Sequence, residues 1–239
     1  MKNRFWEIDF LRGVAVAMMV LFHFLWDLKF FTDAEIVLVR GFWDWFRIFT
    51  AFSFLFLVGI SLHLSTYGKG NVFFKLSKRG IYIFSLGLLL SIFSRLFFPE
   101  KYIVFGILHL IGTSIILSFF FLRFKYLNLL FGFIFIISGV ALNNYVLNIP
   151  FLFFLGSFSS RLNTLDYYPL LPWFGVVLWG IFAAKILYFQ RDRRFSLPWR
   201  GDSLVVRVFS FLGRRSLAVY FFHQPILFLL FYLFTEIVF

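Results

Sequence analysis

Long apolar stretches recur along the chain, separated by short segments that carry most of the charge. The first runs from Phe10 to Phe31 and is long enough to cross a bilayer as one helix. Repeating that test along the sequence predicts seven spanning helices, over about 10–31, 46–64, 80–98, 102–121, 127–142, 169–188 and 215–236. The stretch 143–168 is different: its apolar run, Ile149 to Gly156, is too short to cross. It is expected to form an outer loop with a short re-entrant or interfacial piece. The predicted fold class is therefore all-α, a polytopic integral-membrane helical bundle of about seven transmembrane helices. A single domain is expected over residues 1–239.

Composition strengthens this picture. The chain is 62% hydrophobic, against about 45–50% for ordinary globular domains. Lysine and arginine set the orientation. With the N-terminus in the cytoplasm, seventeen of the 23 basic residues fall on the inner side or at inner helix ends and six on the outer side. The expected protein is thus multi-pass in the cell membrane, with lipids as constant partners. Its net charge of +12 would lie on the inner face. The absence of cysteine excludes disulfides, thiolate metal sites and a cysteine nucleophile. No phosphate-binding glycine loop, serine elbow or zinc-helix motif occurs. A nucleic-acid role for the basic face would lack a soluble domain to carry it. Homo-oligomerisation is left open.

Four ionisable residues interrupt the first apolar stretch: Asp9, Arg12, His23 and Asp27. Arg12 and His23 are eleven apart, which places them about 20° apart around a helix and about 16 Å apart along it. Asp9 and Asp27 stand three before Arg12 and four after His23, on the same stripe. Ionisable groups at membrane depth are costly and usually face a bundle interior or a water-filled cavity. Asp27, one turn beyond His23, is expected to accept a hydrogen bond from the imidazole and raise the basicity of its other nitrogen. That arrangement suits a general base taking a proton from a hydroxyl or amine. The plainer alternative is an interfacial helix start, a packed polar histidine and an aspartate that begins the outer loop.

The text EIDFLRGVAVAMMVLFHFLWDL resembles the start of the heparan-alpha-glucosaminide N-acetyltransferase catalytic-domain family in its short prokaryotic form. VFGILHLIGTS at 104–114, YYPLLPWFGVVLWGI at 167–181 and GRRSLAVYFFHQPIL at 213–227 are similar to the same family. The arginine, ten residues, then histidine of the first helix also resembles the signature of the related family 3 membrane acyltransferases. The resemblance implies an integral-membrane acyltransferase with acetyl-CoA or another acyl-CoA as co-substrate. It implies a glycan or small acceptor, and His23 at the acyl-transfer centre. Animal members of the first family place their catalytic histidine in the outer loop before the second helix. Residues 28–46 here contain no histidine, so the pattern with the base on the first helix fits better.

Other residues complete the expected site. His109 lies at a depth similar to His23 and is a second catalytic candidate. His223, followed by Gln224 and Pro225, is expected to line an inner cavity near the incoming acyl donor. Arg12, Lys78, Arg79, Arg214 and Arg215 sit at inner helix ends, where they would hold the donor's phosphates. Topology alone also places basic residues there, and anionic lipid binds them. No metal is expected, since two histidines lack a third ligand at suitable spacing. The rival class is a transporter or channel for a small anion or lipid-linked solute, with the same stripe as its path. Acyl-CoA binding discriminates between the two.

Overall fold

The computed structural model describes residues 4–32, 34–38, 40–66, 70–143, 153–156, 164–189, 192–197 and 201–238. Among them the regular elements are helices, apart from one small hairpin and a single parallel bridge. The helices are α1 (Trp6–Thr32), α2 (Phe42–Thr66), α3 (Val72–Phe97), α4 (Ile107–Phe121), α5 (Tyr126–Asn143), α6 (Leu170–Leu187), α7 (Leu204–Arg214) and α8 (Ser216–Val238). The hairpin pairs β1 (Tyr188–Phe189) with β2 (Asp192–Arg193), Tyr188 opposite Arg193.

Five helices are long and apolar enough to span a membrane: α1, α2, α3, α6 and α8. The other two expected spans appear as shorter apolar helices, α4 and α5. Their ends have local causes. α3 starts at Val72 rather than near 80 because the Asn71 side chain caps it, accepting from the Phe74 N–H at 3.1 Å. α4 starts at Ile107 rather than 102 because Phe105 instead forms a parallel bridge with Tyr167. The freed first turn is capped from a distance: the Asp166 carboxylate accepts the Ile107 N–H at 3.0 Å. Most of 143–168, including the first half of the expected re-entrant run at 149–156, lies outside the described residues.

The expected basic loop before the last span instead contains a helix, α7. Ser203 caps it through the Val206 N–H. Val206, Ser210 and Gly213 form its buried face, while Leu204, Val205, Val208 and Phe211 are exposed.

Internal contacts divide the chain into two compact units, Met1–Leu57 with Ser196–Phe239, and Val58–Phe195. In the second unit, helices approach closely where small residues allow it. Gly132 lies against the Trp179 indole, and Gly175 against the Gly132 carbonyl, at the α5–α6 contact. Phe121, Phe135 and Phe174 form an aromatic cluster, with Phe174 ring centroids at 5.5 and 5.8 Å from the other two.

The first unit is built on α1, which α7 and α8 cover in turn. Gly13 touches the Phe209 backbone, and Gly213 touches the Asp9 carbonyl and the Gly13 nitrogen. α1 and α7 therefore cross backbone to backbone over the first two turns of α1. α8 packs further along. His23 meets His223, Asp27 meets Gln224, and Phe31 meets Phe228 and Phe231. These pairs rise together in sequence, so α1 and α8 run parallel. If both cross the membrane, the number of crossings from α1 through α8 is odd.

Gly13→Val and Gly213→Val should each lower the thermal denaturation midpoint in detergent, because the new Cβ would overlap a neighbouring backbone; overpacking of this kind typically costs about 1–3 kcal/mol or more. Gly70→Ala, with open space around the added carbon, should leave the midpoint unchanged. Equal effects at all three positions would argue against the crossing. Since the chain lacks cysteine, Asp202→Cys and Glu100→Cys give single labelling sites. The charge distribution predicts labelling of position 202 from the cytoplasmic side and of position 100 from the outside. Labelling of both from one side would overturn the orientation.

Candidate active site

His23 occupies the seam where α1 faces α8. Its ring meets that of His223 edge to face, with centroids 4.8 Å apart and an interplanar angle of 65°. His23 Nδ1 lies 2.9 Å from the Met19 carbonyl, one turn back on its own helix. A carbonyl only accepts, so Nδ1 carries the proton and Nε2 is left with a lone pair. His223 repeats the pattern: Nδ1 donates to the Tyr220 carbonyl at 2.7 Å. Its Nε2 is buried and has no hydrogen-bond partner.

Asp27 is 1% exposed and accepts twice from one group, the Gln224 side-chain amide, at 2.8 and 3.1 Å. The expected hydrogen bond from His23 to Asp27 is not formed. The imidazole's Nδ1 proton has been taken by the backbone carbonyl a turn below, and the carboxylate has been taken by Gln224. Asp27 therefore orients Gln224. A carboxylate accepts and does not donate, so the Gln224 nitrogen must face it. The Gln224 oxygen consequently points elsewhere, and it too is buried without a partner.

His223, expected to line an inner cavity near the incoming acyl donor, stands beside His23. α7 takes up the first turns of α1, so α8 starts well up the length of α1. His223 lies seven residues into α8 and His23 seventeen into α1, about 10 and 25 Å by rise, yet they stand side by side. Gln224 was visible in the sequence only as the second of two polar residues before Pro225. Its pairing with Asp27 had no spacing signal, because the two residues are 197 apart.

At the start of α1, Arg12 donates to Asp9 at 3.1 Å and to the Gly213 carbonyl at 3.4 Å. Arg4 approaches the same carboxylate at 3.5 Å. The Asp9 and Arg12 side chains are 8% and 17% exposed, so this ion pair is largely sheltered. Arg12 thus fastens α1 to the C-terminal end of α7, in addition to any contact with a donor. Arg214 lines an open cavity of about 650 Å³ with Trp6, Arg207, Ser210 and Phe211. The Arg215 guanidinium lies over the Phe211 ring at 5.1 Å.

His109, Lys78 and Arg79 belong to the second unit. Lys78 and Arg79 are exposed in the second turn of α3. His109 is 2% exposed at the first turn of α4. Its Nδ1 accepts the Gly106 N–H at 3.2 Å, so here the proton sits on Nε2, the reverse of His23 and His223. That Nε2 is buried without a partner. Phe105 stacks on the ring at 5.5 Å and Phe84 meets it edge-on at 5.0 Å. In this tautomer His109 is a donor and has no lone pair to act as a base. In the same unit, the Tyr167 hydroxyl donates to the Phe153 carbonyl at 2.7 Å, and burial pushes its pKa up to about 12, so it stays protonated. Among the described residues no group of three or more histidine, cysteine, aspartate or glutamate side chains is placed to hold a metal.

The family model for the heparan-alpha-glucosaminide N-acetyltransferase catalytic domain matches residues 4–225, which takes in α1 through the His223–Gln224 pair of α8. Comparison with curated proteins and with solved structures gives no match.

Arg12→Gln should lower thermal stability, because it strips Asp9 of its nearer cation; removing one partner of a buried pair costs about 3–5 kcal/mol. Adding Asp9→Asn to the same chain should recover much of the loss. An Arg12→Gln protein as stable as the parent would show that the pair is not structural.

Proposed function

Because the chain belongs to the heparan-alpha-glucosaminide N-acetyltransferase catalytic-domain family, we propose that it transfers an acetyl group from cytosolic acetyl-CoA to an amine or hydroxyl of a membrane-associated or external acceptor such as a glycan. Family membership implies membrane acetyltransferase activity in general, and five apolar helices of spanning length agree with a membrane location. We extend the proposal to seven crossings and a single acyltransferase domain over residues 1–239. The family's name refers to a glucosaminide, which makes an amino-sugar terminus the first acceptor to try.

The observation that carries the proposal is the state of His23. Its Nδ1 is held by the Met19 carbonyl, which fixes the ring and keeps the Nε2 lone pair for a proton. It stands in the α1–α8 seam beside a second imidazole of the same tautomer. In the proposed step, His23 Nε2 takes the proton from the acceptor N–H or O–H as that atom attacks the thioester carbonyl carbon. The tetrahedral intermediate collapses with cleavage of the carbon–sulfur bond. The sulfur leaves as thiolate and receives the proton from the His23 imidazolium. Products are the acetylated acceptor and free CoA, and the base is regenerated. Within the first unit, the donor's phosphates are assigned to Arg214, Arg215 and Arg12.

Purified protein incubated with radiolabelled acetyl-CoA and a glucosamine-terminated oligosaccharide should release CoA and label the sugar. His23→Ala should lower the rate by about 10²–10⁴, the usual cost of removing a general base, while acetyl-CoA binding persists. A His23→Ala protein that retains the parent rate would move the base elsewhere. Wild-type protein that binds no acetyl-CoA would favour a transport role.

A further inference from the structure

Two consecutive residues of α8 turn toward α1 and leave an acceptor atom unused. His223 is 9% exposed, and its Nε2 lone pair is buried without a partner. Gln224 has spent its amide hydrogens on Asp27, and its carbonyl oxygen is likewise buried and unpartnered. Leaving a buried polar atom unsatisfied typically costs about 1–3 kcal/mol, and native proteins leave few of them. These two lie on adjacent residues, beside the imidazole assigned as the base. The residue that follows, Pro225, has no N–H, so α8 offers no backbone donor there. Three side-chain atoms here can accept: His223 Nε2, Gln224 Oε1 and the His23 Nε2 lone pair. A ligand that satisfies this set must bring donors, as a primary amine or a hydroxyl does.

We propose that His223 Nε2 and Gln224 Oε1 form the seat of the acceptor's nucleophilic group, holding its N–H or O–H hydrogens beside His23, and that Asp27 sets this seat by fixing which face of the Gln224 amide points into it. The inference rests on the acyl-transfer proposal and adds to it the residues that position the acceptor. It makes His223 and Gln224 acceptor-side residues, distinct from donor binding. It also gives Asp27 a positioning role through Gln224. Asp27→Asn keeps the shape but can donate, so the Gln224 amide is free to turn over and present its NH₂ to the seat. That reversal would replace an acceptor with a donor and repel the nucleophile's own hydrogens.

The test measures acetyl transfer to D-glucosamine by the full-length detergent-solubilised protein, with both Michaelis constants determined. His223→Leu and Gln224→Met should raise the KM for glucosamine at least tenfold, the equivalent of one lost hydrogen bond to a charged group. The KM for acetyl-CoA should stay within about twofold. Asp27→Asn should act in the same direction as Gln224→Met. His223→Leu should melt at or above the parent temperature, because it removes an unsatisfied buried nitrogen and leaves the helix intact. That result separates a seat from a structural support. An unchanged glucosamine KM in His223→Leu would overturn the proposal and leave ordered water as the occupant. A second readout does not depend on turnover. With ¹⁵N-labelled histidine rings, titration with glucosamine should shift the Nε2 resonance of His223 and leave that of His109 in place. If wild-type protein transfers no acetyl group but this shift occurs, the acyl-transfer proposal fails and the seat stands. If transfer occurs and no shift is seen at His223, the seat fails alone.

Discussion

The first unit depends on one backbone contact, the crossing of α1 and α7 at Gly13 and Gly213. In lipid there is little hydrophobic gain from bringing two helices together, so close packing and polar contacts must hold them. The glycines remove the side chains that would keep the backbones apart. Arg12 then reaches the Gly213 carbonyl, where the C-terminal end of a helix dipole favours a cation. With α7 fastened across the first turns of α1, α8 must begin higher on α1, since only the one residue Arg215 separates the two helices. That offset, set by glycine contacts some turns away, is what brings His223 level with His23 and Gln224 level with Asp27.

The same backbone decides the chemistry of the histidines. In the apolar interior of a bundle the first strong acceptor an imidazole meets is a carbonyl of its own helix. His23 and His223 both give their Nδ1 protons to such carbonyls, three or four residues back. His109 sits at a helix start, where N–H groups and not carbonyls are unpaired. Its Nδ1 therefore accepts, from Gly106. Position within a helix thus separates two imidazoles with a free Nε2 lone pair from one with an Nε2–H.

The sequence made the bundle legible because spanning length, apolar runs and basic loops are local properties of a chain. It made His23, Asp27 and Arg12 legible because ionisable residues stand out against lipid-compatible text. What it could not carry was the pairing of residues about 200 positions apart. Spacing along the helix points Asp27 to His23, one turn away, whereas its partner, Gln224, arrives on another helix. In the sequence α7 reads as a basic loop, because Arg207, Arg214 and Arg215 dominate a topology count. The signs of a helix were present in Ser203 as its cap and in the small face of Val206, Ser210 and Gly213 that packs on α1. The early start of α3 was also written locally, in Asn71. The cap of α4 was not, because Asp166 reaches it across 59 residues.

A charge count alone cannot separate topology from function among the basic residues, and the surroundings of each arginine divide them further. Arg12 is sheltered, paired with Asp9 and bound to the end of α7, so its loss would disturb the frame before it disturbed a substrate. Arg214 borders an open cavity and Arg215 lies over an aromatic ring. These two are better placed to meet a phosphate without unfastening the helices. The polar groups of the seam differ in another way. Asp27 is satisfied by Gln224, but that satisfaction turns the Gln224 oxygen, next to the unpaired His223 nitrogen, into a buried acceptor with nothing to accept. A protein optimised for stability alone would place apolar atoms there, as the rest of α8 does. Retaining two unsatisfied acceptors beside the His23 imidazole in a phenylalanine-rich helix is a stability cost of the kind that functional sites carry.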